Sequence, residues 1–224
     1  MKNLLLCGLL ALPLDGALRG QSATEDLSLA MLLPPAGDTT ETAATVPKRK
    51  LLPDNMSWLE RDLWGENGLV RSIAIASPLT PEVRKGELQV RRTMLTMHQI
   101  GGFLTVGLIG TTLYYGQMSL SNPQIRSYRS SHQTFVTLSI FSYGATGALA
   151  ILSPPPLIRR DDETSTTTIH KMLAWVHFAG MVVTPILGAS LKRSFQYDKL
   201  ARYHQISGYI TGGTLLASLI IVTF

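Results

Sequence analysis

The chain has 224 residues, of which 45% are hydrophobic and 16% charged, with a mean hydropathy of +0.17, on the apolar side of soluble composition. The charge is segregated before residue 93 or into short clusters, leaving four stretches of about 20 residues almost free of it, which excludes an ordinary water-soluble globular domain. A single cysteine, Cys7, excludes an internal disulfide and any Cys-x-x-Cys metal site, and the 20 basic against 15 acidic residues form no single patch, so nucleic acid is not an expected partner.

Residues 1–23 read as an export signal: Lys2 supplies the positive start, Leu4 to Leu14 an apolar run too short to span a bilayer, and Gly20-Gln21-Ser22-Ala23 a small-residue stretch where cleavage could occur. Residues 24–53 combine Thr, Ala, Pro and acidic residues and offer nothing periodic to bury, so a disordered linker is expected. Residues 54–92 change character. Met56, Leu59, Leu63, Val70 and Ile73 recur at helical spacing beside Trp58 and Trp64, with Asp54 or Ser57 as a cap and Gly65 or Gly68 as breaks, which predicts short amphipathic helices at the membrane interface. Thr80-Pro81-Glu82 then supplies a cap, a proline at the first helical position and an early carboxylate, opening a helix that runs on toward the membrane.

Residues 93–224 hold four apolar segments, about Met94 to Gly116, His132 to Ser153, His170 to Leu191 and His204 to Phe224. Each is of the length needed for roughly 30 Å of hydrocarbon. The expected fold is all-α: a transmembrane four-helix up-down bundle preceded by a signal peptide, a disordered linker and short interfacial helices. His98 and His170, and likewise His132 and His204, are 72 residues apart, and Ser131-His132-Gln133 resembles Tyr203-His204-Gln205, as two tandem helical hairpins would produce.

All five histidines, His98, His132, His170, His177 and His204, lie near one end of a segment. Up-down topology sorts them into two groups, His98 with His170 or His177 and His132 with His204. Imidazoles in hydrocarbon are costly unless functional, and a neutral pair across a bundle is the usual axial arrangement for a low-spin haem, so two haems stacked across the membrane are expected. Without a Cys-x-x-Cys-His motif they are non-covalent b haems. His170 and His177 are seven residues apart and share a helix face. Depth favours His177, because Lys171 precedes it by the six residues that separate Arg92 from His98; the 72-residue spacing favours His170. His177 is the expected axial ligand with His98, and His170 is left near the surface. Gly101, Gly102, Gly180 and Gly208 follow histidines by three or four residues and offer faces either to a porphyrin or to close helix packing. Pro185 is expected to kink the third segment.

This order of histidines, with His-x-x-x-Gly at His204 and His-x-x-Gly at His98 and His177, resembles the cytochrome b561 family over roughly residues 93–224. The resemblance implies a four-helix core holding two b haems through one histidine per helix and an electron-transfer role, with its donor and acceptor open: a quinol, an ascorbate-like small reductant or a protein subunit. Membrane lipid is the surrounding partner, and a homodimer is one assembly open to it. An exported N-terminus would put His98 and His177 outside and His132 and His204 toward the cytoplasm, although Lys and Arg divide six against six between the two sides and do not decide the matter. Competing readings are a haem-free copper- or iron-handling membrane protein, a di-iron hydroxylase, for which carboxylates and closely spaced His clusters are lacking, and a structural membrane subunit.

Overall fold

A computed structural model describes residues 50–73, 75–158 and 165–224. The expected signal peptide and nearly all of the expected linker lie outside the described residues, as do Arg159 to Glu163. Every regular element among the described residues is helical: α1 (Trp58–Trp64), α2 (Leu69–Ser72), α3 (Pro81–Ser121), α4 (Arg126–Ile151), α5 (Thr166–Ser190), a 3-10 turn (Leu191–Arg193) and α6 (Tyr197–Thr223). They form two compact units. The first contains the described residues up to Thr93 and those from Leu152 onward in the α4–α5 connection; the second contains Met94–Ile151 and the described residues from 165 to Thr223.

In the first unit the local signals act where the sequence puts them. Ser57 caps α1 and exchanges hydrogen bonds with Glu60, main-chain N–H to carboxylate at 2.9 Å and main-chain N–H to hydroxyl at 3.3 Å. Gly65 ends that helix and Gly68 opens the next. Thr80 Oγ1 accepts from the Val83 N–H at 3.3 Å as α3 begins at Pro81. Four arginine and tryptophan side chains then tie loops down. Arg84, fully buried, donates to Leu51 O at 2.8 Å, Pro156 O at 3.2 Å and Pro155 O, and Arg91 donates to Pro154 O at 2.7 Å. Glu87 answers two guanidinium groups, Arg84 at 2.9 Å and Arg71 at 2.7 Å. Burial pushes the Arg84 guanidinium below its ordinary value, and Glu87 beside it pulls the other way. Trp64 donates its indole N–H to Leu152 O at 3.2 Å, so this tryptophan serves packing within the unit, while Trp58 stays exposed.

In the second unit the usual sorting of residues is inverted. Its most buried side chains include Thr105, Ser139, Thr211, Ser218 and His177, whereas Phe141, Trp175, Ile186 and Ile210 face outward. Water would penalise that arrangement; hydrocarbon favours it, since apolar side chains can face lipid and small or hydroxylated residues let helices approach closely. Helices α4, α5 and α6, of 26, 25 and 27 residues, are each long and apolar enough to cross a membrane. The chain is a membrane protein on this pattern. Helix α3 includes the whole Met94 to Gly116 segment within its 41 residues but is not among those three, the apolar residues of that segment being diluted by five glycines, threonines, His98 and Gln99. Helix α5 continues through Pro185 to Ser190.

Hydroxyl pairs join the helices within each hairpin. Thr112 meets Ser139 at 3.1 Å and Thr105 meets Ser142 at 2.7 Å between α3 and α4; Thr184 meets Ser207 at 2.7 Å and Thr211 at 3.3 Å between α5 and α6. Thr112 and Thr184 are 72 residues apart, and so are Ser139 and Thr211. The spacing noticed at the histidines therefore extends to the contacts that build each hairpin. Gln117 of α3 accepts from Gln205 at 2.8 Å and Tyr209 at 3.1 Å, joining α3 to α6.

Candidate functional site

Each hairpin positions its histidines by the same device. His98 Nδ1 lies 2.8 Å from Thr146 O, His132 Nδ1 2.9 Å from Thr112 O, and His204 Nδ1 2.9 Å from Thr184 O. His170 Nδ1 lies 3.2 Å from Ser218 O and 2.7 Å from Ser218 Oγ. A carbonyl oxygen can only accept, so Nδ1 carries the proton in His98, His132 and His204 and donates it; at His170 the nearer partner is the Ser218 hydroxyl, which can donate or accept. A neutral ring held in this way has its lone pair on Nε2, the form in which imidazole ligates a metal, with Nδ1 held by an outer partner.

The rings meet in two pairs. His98 and His170 have ring centroids 6.2 Å apart with planes at 89°; His132 and His204 have centroids 6.1 Å apart with planes at 85°. Edge-to-face rings commonly stand about 4.5–7 Å apart, and the same separation matches two metal–nitrogen bonds of about 2 Å each plus the ring radii. Among the described residues no group of three or more His, Cys, Asp or Glu side chains could hold a metal. Each pair offers two ring nitrogens, fewer than a bare zinc or copper ion prefers, so a metal held there would need further ligands from a bound group.

The pairs lie at different levels. From His98 to Thr112, whose carbonyl holds His132, α3 rises fourteen residues, and the other three helices repeat that interval. At 1.5 Å per residue the levels are about 21 Å apart, a distance contained within the roughly 30 Å of hydrocarbon.

The structure sets His170, not His177, opposite His98. Lys171 was a poor depth marker, because a lysine stem can carry its charge several ångströms along the helix to reach water. His177 instead shares a 2.9 Å hydrogen bond with Tyr143 OH and is nearly buried. The glycines next to histidines are spent on helix packing: a Cβ at Gly101 would strike Thr146, one at Gly180 would strike Thr211, and those at Gly208 and Gly102 would meet Leu113 at 3.3 Å and Leu219 at 3.6 Å. The glycines that cradle the imidazoles are others. A Cβ at Gly116 would come within 3.0 Å of the His132 ring, and one at Gly188 within 2.9 Å of the His204 ring. Both stand sixteen residues before the histidine they meet and 72 from each other, a signal present in the sequence but separate from any His-x-x-x-Gly pattern. No protein-family model, curated protein or solved structure matches the chain.

Proposed function

We propose that the chain is a multi-pass membrane electron-transfer protein in which helices α3 to α6 form a four-helix transmembrane bundle holding two b haems, in the manner of the cytochrome b561 family. The observation that carries this reading is the pair of facing imidazole couples, His98/His170 and His132/His204, each ring with Nδ1 anchored to a main-chain carbonyl. A bound haem supplies a one-electron iron couple. The chain's own contribution is to fix ligand tautomer and ring direction, to exclude water with hydroxyl-bonded hairpins, and to hold two sites about 21 Å apart so that a bilayer crossing divides into shorter steps. A haem held by both imidazoles of a pair would supply electron transfer in preference to oxygen activation. An exported N-terminus puts the His98/His170 level on the outer side. The donor and acceptor are a quinol, a small reductant or a protein.

The test is the visible spectrum and haem content of the full-length protein purified in mild detergent. Two non-covalent b haems per chain, with the sharp reduced bands of low-spin iron, are the expected result. A colourless protein that binds copper or zinc instead rejects the proposal in favour of metal handling.

A further inference from the structure

His177 and Tyr143 belong to neither imidazole pair, and they depart from the repeat. Seventy-two residues before His177 stands Thr105, and seventy-two after Tyr143 stands Leu215, so the equivalent positions cannot form this hydrogen bond. The departure falls between the two levels. His177 is seven residues beyond His170, half of the fourteen that separate His170 from Thr184. Tyr143 is three residues before Thr146 on α4, and side chains lean toward the N-terminus of their helix, so its phenol reaches from the level of the first pair toward the middle.

We propose that the Tyr143–His177 hydrogen bond is the bridge through which an electron passes between the two imidazole pairs, an inference that rests on the two-haem reading above. It gives a bonded path with about three helical turns, where the route along any one helix, from a paired histidine to the carbonyl that holds the other pair, takes about four. The His98 ring donates to Thr146 O at 2.8 Å, one turn of α4 leads back to Tyr143, the 2.9 Å hydrogen bond crosses to His177, two turns of α5 lead to Thr184, and Thr184 O accepts from the His204 ring at 2.9 Å. Electronic coupling falls off less steeply through covalent and hydrogen-bonded contacts than across van der Waals gaps, so this path is favoured over a direct jump. The balance is one electron lost at one iron and gained at the other; Tyr143 and His177 are neither oxidised nor reduced, and no proton moves.

The experiment uses the full-length protein in detergent and its Tyr143→Phe, Tyr143→Leu and His177→Leu variants. Four readouts are taken: haem content, the midpoint potential of each haem, the rate of internal electron transfer after flash reduction, and the ultraviolet resonance Raman signature of a hydrogen-bonded tyrosine. The expected result is two haems and unchanged potentials in every variant, loss of the tyrosine signature in His177→Leu, and an internal transfer slowed several-fold in Tyr143→Leu and His177→Leu, with the conservative Tyr143→Phe between them and the unaltered protein. Unchanged internal rates with two haems present overturn the bridge while leaving the two-haem reading intact, and reduce the pair to a strut between α4 and α5. Loss of a haem in His177→Leu alone also overturns it, because His177 would then be a ligand. An unaltered protein that purifies without haem overturns both.

Discussion

Four imidazoles carry the proposed function, and what distinguishes them from the fifth is that each stands opposite another imidazole. His98, His132 and His204 point Nδ1 at a carbonyl and His170 at the hydroxyl and carbonyl of Ser218; His177 shares its Nδ1 with a phenol and is paired with no second imidazole among the described residues. Alanine at His170 is therefore expected to remove the same haem as alanine at His98, leaving one per chain, while alanine at His177 leaves two. Pyridine haemochrome analysis of the three variants distinguishes this from ligation by His177, in which the outcomes for His170 and His177 exchange. Gly116 and Gly188 act at the same scale from behind the rings. A methyl group at either forces an imidazole aside, an overpacking worth about 1–3 kcal/mol in a tight interior. Gly116→Ala is thus expected to weaken haem retention at His132, and Gly188→Ala at His204, both at the second pair; the measurement is haem content after dilution, with the His98/His170 haem unaffected.

At the scale of single elements, the parts ruled by local chemistry were readable from the residues alone. Ser57, Gly65, Gly68 and Thr80-Pro81 bound their helices where cap and breaker rules place them, because those interactions close within one or two turns. The membrane-length character of α4, α5 and α6 was readable from apolar runs. The identity of His98's partner was not, because it depends on which of two residues on one face of α5 stands at the level of α3, and helix register against a neighbour is a tertiary fact. Nor could the sequence announce the Arg71–Glu87–Arg84 cluster, whose members look like surface charges on a 3.6-residue pattern. The cluster invites a test. Removing the one carboxylate between two buried guanidinium groups leaves charge without compensation, a loss of about 3–5 kcal/mol. Glu87→Gln is expected to lower the thermal midpoint in detergent and to expose residues 50–77 to limited proteolysis, whereas replacing the exposed Lys50, paired with Asp54 on the surface, changes neither.

For the whole molecule, the 72-residue repeat means that two hairpins of the same construction present their histidines at two levels. Fourteen residues separate each paired histidine from the residue whose carbonyl fixes the other level, and fourteen residues are close to four turns, so imidazole and anchor share one helix face. Register is what preserves this geometry. One alanine inserted between Thr105 and Val106 turns the two halves of α3 by about 100° relative to each other. The expected outcome is loss of a haem, whereas Thr112→Ala and Thr184→Ala, which keep the carbonyl, retain both; haem stoichiometry and reduced spectra of the three proteins decide it. The anchoring carbonyls have a wider consequence. An acceptor supplied by the backbone is present whatever residue occupies the position, so no side-chain substitution deletes it and a mutational scan would pass over it in silence. The instruction that orients these imidazoles is written as spacing, and insertions and deletions, not replacements, are the changes that can erase it.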